Sequence, residues 1–325
     1  MKKIIVEFFK NIFPLLLGVF LIYYSYSNTS PEDRQEIFKS LKYADYRYVA
    51  LSIFLAILSH LSRSYRWKYL LTPLGYKINF LNSVMSLLIG FLANLGVPRS
   101  GEFLRASSIT LYEKVPFEKG FGTIITERII DVIILSTCIV IGMSMNSYIT
   151  IPKLSLKPLS ILLFITISIL VYFLYKLIKK SSLGYKISHF VLGLKKGVLS
   201  ILSIPNKEKF IIHTLFIWIM YFLMIYVMKF SMPETFYLGF EAIFSAFVAG
   251  SIAISITNGG IGIYPLAIAS IISQYGVSYE SALAFGWIVW TSQTLMILTF
   301  GSLSFIFLPI FFHLLQMMFY QKLHI

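Results

Sequence analysis

The chain has 325 residues, 57% of them hydrophobic and only 13% charged, with a mean hydropathy of +0.79. Soluble domains carry about a quarter charged residues, so the composition excludes a soluble globular enzyme and points to an all-α, polytopic membrane protein. The net charge of +14 could serve nucleic acid, yet 26 of the 28 Lys/Arg precede Phe210 and cluster between apolar runs; without a recognition motif, that pattern excludes nucleic acid and fits cytoplasmic loops against anionic lipid.

The N-terminus, MKKIIVEFFKNIFPLLLGVFLIYYSYSN, has the basic start and apolar stretch of a signal peptide. It lacks a small-residue cleavage site and many apolar runs follow, so a retained first helix over 10–27 is expected. Further full spans are predicted at 47–70, 120–145, 157–178, 209–230 and 281–308. Long continuous runs of this kind differ from the short alternating strands of a membrane barrel. Two more apolar regions, 79–112 and 239–276, are broken by Gly/Pro clusters and predict broken helical hairpins. KISHFVLGLKKGVLSIL (Lys186–Leu202) predicts either an interfacial helix or a solvated basic loop. The whole of 1–325 is expected to form one integral membrane domain.

Charge bias orients these elements. Residues 63–77 carry Arg63, Arg66, Lys68 and Lys77 with no acid, and 176–209 carry eight lysines against Glu208 alone. Both connections belong on the cytoplasmic side. They share a side only if 79–112 enters the membrane and returns. The same count places the N-terminus inside and starts 239–276 from the outside, so the hairpins enter from opposite faces as an inverted repeat does.

Three constellations carry chemistry. NLGVPRSGEFLR (Asn94–Arg105) spaces Arg99, Glu102 and Arg105 three apart, near one face of a helix resuming after Pro98. Such a helix start with two arginines suits a phosphate; an ordinary cytoplasmic loop is the plainer alternative. TERIID (Thr126–Asp131) puts Glu127, Arg128 and Asp131 on one helix inside an apolar run. Each charge at mid-membrane costs about 2.5–3.5 kcal/mol, so these groups need partners, for which Arg99 and Arg105 are candidates. A position near the interface would reduce that cost. ITNGGIGIYP (Ile256–Pro265) cannot continue a helix through Gly259, Gly260, Gly262 and Pro265, and Asn258 adds a polar side chain; a tight-packing glycine patch is the alternative.

RSYRWKYLL (Arg63–Leu71) suggests lipid-phosphate contact by Arg63 and Arg66, or interface anchoring. His60 and His213 are expected to be satisfied helix residues. The single cysteine, Cys138, forms no intramolecular disulfide, and no metal spacing, nucleotide loop or cofactor signature appears. Asn28-Thr29-Ser30 is a weak glycosylation pattern.

NLGVPRSGEFLR followed by TERIID resembles the N-P-x-R-x-G-E…R and E-R-x-x-D signature of the lysylphosphatidylglycerol synthase transmembrane-region family, the flippase-like integral membrane proteins. RSYRWKYLL and NGGIGIYP fit the same pattern, and the resemblance runs from about Tyr48 to Pro309. It implies a domain that moves lipid across the bacterial inner membrane. Some members are joined to a cytoplasmic synthetase; the residues here leave no room for one, so aminoacyl transfer is not expected. The chain departs from the family where Tyr264-Pro265 stand in place of an acidic residue, and where Trp287 or Trp290 replaces an arginine of the last span.

The expected activity is translocation of a phospholipid or polyprenyl phosphate, with Arg99 and Arg105 on phosphate and Glu102, Glu127 and Asp131 holding the arginines. Arg128 would balance the acid, while Asn94 and the Asn258–Gly262 backbone complete the walls. Membrane lipids are the expected partners, with a homo-oligomer or an envelope-biosynthesis protein in addition. An intramembrane lipid-modifying enzyme and an accessory subunit are the alternatives.

Overall fold

The computed structural model describes residues 42–97, 99–145, 182–257 and 259–322, with Gln35 and Lys39; side chains of 182–187 and 312–322 are not described. The expected spans at 10–27 and 157–178 lie outside the described residues, as does Asn258. Among the described residues the fold is helical, and nine α-helices follow one another with short 3-10 turns between them.

The first helix, α1 (Tyr46–Leu71), starts where Asp45 accepts the Arg47 backbone N–H. Asn79 caps α2 (Phe80–Gly96) by accepting from Leu81, and α3 (Ser100–Glu113) follows after three residues. Then come α4 (Phe117–Met145), α5 (Ser182–Leu199), α6 (Lys207–Met228), α7 (Phe240–Ile256), α8 (Ile263–Ile272) and α9 (Tyr279–Lys322). The expected spans at 47–70, 120–145, 209–230 and 281–308 correspond to α1, α4, α6 and α9. Two segments, Lys207–Ser231 and Tyr279–Phe311, are long and apolar enough to cross a bilayer. Helices α1 and α4 have the length, 26 and 29 residues, but carry charges in mid-course.

Both interrupted regions form antiparallel helix pairs. In the first, Gly101 faces Gly90 and Asn94 so closely that an added Cβ would lie 2.0 Å from the Gly90 carbonyl oxygen. The Asn94 side chain accepts the Gly101 backbone N–H at 2.8 Å. At the other end, Glu113 accepts from the Asn79 backbone and the Asn82 amide. In the second pair, Gly250 packs against the Tyr264 ring, and Tyr275 donates to Glu241 at the base. The turn between α7 and α8 runs through Gly259, Gly260 and Gly262, all at positive φ, which glycine adopts without steric penalty. With 17, 14, 17 and 10 residues in the four arms, each reaches about 15–26 Å, short of the roughly 30 Å hydrocarbon thickness.

Helix α9 aligns the two hairpins. Gly286 packs on the Pro265 backbone, Trp290 donates to the Gly259 carbonyl at 2.8 Å, and Gly301 packs on Leu88 and Leu92. The second hairpin therefore lies along the N-terminal half of α9 and the first along its C-terminal half. Their tips meet: an added Cβ at Gly259 would sit 2.8 Å from the Leu95 side chain.

The segment 186–202 contributes α5, which docks parallel to the start of α4 through Gly197 on Gly122 and Gly193 on Glu118. Outward faces stay apolar, as at Ile129, Val132 and Ile133 of α4 and Ile211, Ile212 and Leu215 of α6. Hydrocarbon rather than water suits such faces.

Candidate functional site

The charged residues converge where α1, α3 and α4 cross. Helices α1 and α4 run antiparallel, so the pair Arg63/Arg66, one turn apart, faces the pair Glu127/Asp131, also one turn apart. Arg63 reaches Asp131 at 2.8 Å, and Arg66 lies 3.5 Å from Glu127 and 3.4 Å from Asp131. Arg66 also donates to Thr214 of α6 at 3.1 Å. From the first hairpin, Arg105 closes on the other Glu127 oxygen at 2.5 Å. Its guanidinium lies 3.7 Å from the Trp67 ring centroid, and Trp67 in turn donates to Thr123 at 2.8 Å. Arg128 turns outward to Glu102 at 2.5 Å and remains 3.8 Å from Asp131.

Burial divides the cluster. Arg63, Arg66, Arg105 and Glu127 are buried, whereas the Arg128 side chain is 43% exposed. Beneath the buried part sits an apolar core of Trp67, Leu70, Ala106, Ile109, Ile124 and Phe210. Removing one partner from such a network strands the other charge in a poor solvent, at about 3–5 kcal/mol. Four arginines face three carboxylates, which leaves one positive charge. The cluster thus binds the first hairpin to α1 and α4 and keeps an excess of cation.

Several residues stand elsewhere than the sequence predicts. Arg99 is exposed and takes the left-handed conformation that caps α3, with φ 57°. Among the described residues it has no ion-pair partner, so Glu127 and Asp131 are paired by Arg105, Arg66 and Arg63 without it. The cause is the turn: at φ 57° the chain is not yet helical, so Arg99 does not share the α3 face of Glu102 and Arg105. Arg63 and Arg66, read from the sequence as lipid-phosphate contacts or interface anchors, point inward to carboxylates. Asn94 ties the first hairpin turn, and Gly259 offers its carbonyl to Trp290; Gly260 and Gly262 shape the second turn. Thus Glu102 and Arg105 of the first hairpin meet Arg128 and Glu127 of α4, with Asp131 beside Arg128 and Asn94 at the hairpin turn, while the glycine turn approaches that hairpin at Leu95.

Trp67 and Thr214 join the site without having been singled out, while Trp290, noted in the sequence as standing where the family resemblance leads one to expect an arginine, holds the second turn. Trp67 had a signal, since it lies between the two basic positions of RSYRWKYLL; Thr214 had none. His213 shares a hydrogen bond with Ser62 at 2.8 Å, and His60 lies against the Phe91 ring. Among the described residues no group of three His, Cys, Asp or Glu is arranged to hold a metal.

Comparison with known proteins places this geometry. The family described as the lysylphosphatidylglycerol synthase TM region matches residues 11–301. The chain belongs to that family. It is therefore a membrane protein, and both the charged cluster and the two hairpins fall within the matched family region. A relative, the UPF0104 membrane protein MJ1595 of Methanocaldococcus jannaschii, is 34% identical over 112 residues, covering 33% of each chain. That match spans about a third of the relative's length. No solved structure matches the chain.

Proposed function

We propose that this family member translocates a phosphate-bearing lipid, a phospholipid or polyprenyl phosphate, across the cytoplasmic (inner) membrane. The chain would be multi-pass with its N-terminus in the cytoplasm. The observation that carries the proposal is the meeting of two short hairpins, tip to tip along α9, beside a largely buried ion cluster. Short arms entering from opposite faces bring polar backbone to the midplane, as in inverted-repeat transporters. Arg99, exposed at one tip, and Arg128, at the rim of the cluster, are the cations left accessible to phosphate. Arg63, Arg66 and Arg105 hold Glu127 and Asp131 and keep the first hairpin in place. Each of the three carboxylates already pairs with arginine, which lends no support to an acid–base enzyme.

Fluorescent-lipid translocation in proteoliposomes tests the proposal. Arg99→Gly is the informative variant, because glycine keeps the left-handed turn while removing the charge. A severalfold slower rate is expected in Arg99→Gly and in Arg128→Gln. Unchanged rates in both would sink the assignment.

A further inference from the structure

Arg105 spends only part of its hydrogen-bonding capacity on the ion cluster. Its Nη1 donates to Glu127, while Nε and Nη2 are buried and have no hydrogen-bond partner among the described residues. Those two nitrogens form one edge of the guanidinium, the fork that grips an anion bidentately. The group lies 3.7 Å from the Trp67 ring centroid, a stacked contact that leaves its N–H groups pointing sideways. Two hydroxyls reach the same crossing. Gly90 of α2 abuts both Gly101 and Arg105, so Ser86, one turn nearer the base of the hairpin, stands beside Arg105. Ser83 of α2 donates to the Ser64 carbonyl, which draws Ser64 of α1, one turn from Trp67, to this place. Ser64 and Ser86 are each 1% exposed, and neither Oγ has a partner among the described residues.

The buried charges do not balance either. Arg63, Arg66 and Arg105 face Glu127 and Asp131, while Arg128 and Glu102 pair with each other at the rim. One cation in excess remains beneath the rim, where an unpaired charge is costly. We propose that a small monovalent anion, of the chloride class, binds between α1, α2 and α3. Arg105 holds it through Nε and Nη2, and the Ser86 and Ser64 hydroxyls donate to it from the neighbouring helices. Such an ion uses all four donors and supplies the single negative charge that the buried set lacks. Water would engage the donors and leave the charge. A lipid head group does not fit, because the four donor atoms are shielded from the surface. Asn82 Oδ1, an acceptor one turn further along α2, belongs to the Glu113 end of the hairpin and takes no part. The ion ties both arms of the first hairpin to α1, so the seating of that hairpin depends on the anion present. The site stands whether or not the chain moves lipid.

Thermal melts of the detergent-solubilised full chain in sodium chloride and in sodium gluconate, at matched ionic strength, test the site. Chloride is expected to raise Tm by about 3 °C or more, with the saturation of a single site. Ser86→Ala removes one donor without changing charge, and should move the chloride midpoint about tenfold upward. Ser108→Ala, whose hydroxyl already serves the Leu104 carbonyl, should leave that midpoint where it is. Arg105→Lys keeps the charge, loses the fork and should abolish the saturable response. Equal melting in chloride and gluconate overturns the proposal, as does a rise that climbs with salt and never saturates. A saturable response that Ser86→Ala leaves unchanged puts the ion elsewhere and overturns it too. Inorganic phosphate acting as well as chloride would show a site open to larger anions and would overturn the shielded one.

Discussion

At the residue scale, close approach and charge pairing set the tolerances. Gly101 has no room for a side chain, because its Cβ would lie 2.0 Å from the Gly90 oxygen and 2.7 Å from Asn94. Gly101→Ala must therefore pry the first hairpin apart, at a cost of about 1–3 kcal/mol or more. Gly96, five residues away, meets nothing within 4 Å, so Gly96→Ala should melt like the unmodified protein in the same detergent. The same scale governs Glu127, which is 1% exposed and serves Arg66 and Arg105 together. Glu127→Ala leaves two buried guanidinium groups short of a partner and is expected to destabilise by about 3–5 kcal/mol. Thermal melts in detergent check both. A Glu127→Ala protein as stable as the unmodified one would show the cluster to be hydrated and weakly coupled.

At the element scale, each hairpin is fastened at both ends. The first is held at its base by Glu113, at its tip by Asn94, and sideways by Arg105 on Glu127. The second is held at its base by Tyr275 on Glu241 and at its tip by Trp290 on the Gly259 carbonyl. The family resemblance leads one to expect an arginine at Trp287 or Trp290; here the Trp290 indole N–H makes a neutral contact instead. Trp290→Phe keeps the ring and removes the donor, so the second turn should loosen by about 1 kcal/mol. Amide exchange over 257–262 should then quicken about fivefold, with the flanking helices unchanged. Protection equal to that of the unmodified protein would mean that the glycine turn holds its shape unaided. Helix α5 shows the opposite case, since its docking depends on bare glycine contacts with α4 rather than on hydrogen bonds alone.

At the scale of the whole molecule, opposed hairpins make a claim about sidedness. Leu111, near the base of the first hairpin, and Gln274, near the base of the second, are both exposed. Cys138 is the single cysteine, so Cys138→Ser gives a clean background for Leu111→Cys and Gln274→Cys. A membrane-impermeant maleimide applied to intact cells should label Gln274→Cys and reach Leu111→Cys only after lysis. Labelling of both from one side would overturn the inverted arrangement while leaving the helix pairs intact.

Much of this was written in the chain itself. Apolar runs of 20 residues or more fix a helical membrane protein, because a backbone in hydrocarbon must satisfy its own hydrogen bonds. Gly/Pro clusters fixed where the hairpins turn, and the spacing of Glu127 and Asp131 announced charges in need of partners. The partners themselves were not legible. Arg63 and Arg66 lie more than 60 residues before the acids they meet, and only the antiparallel crossing of α1 and α4 opposes the two one-turn spacings. Arg99 looked equivalent to Arg105 in sequence, yet the left-handed turn at its own position separates them. Periodicity is a local property and survives in one dimension; which charges meet depends on helix crossings, and those are set by packing across the whole fold.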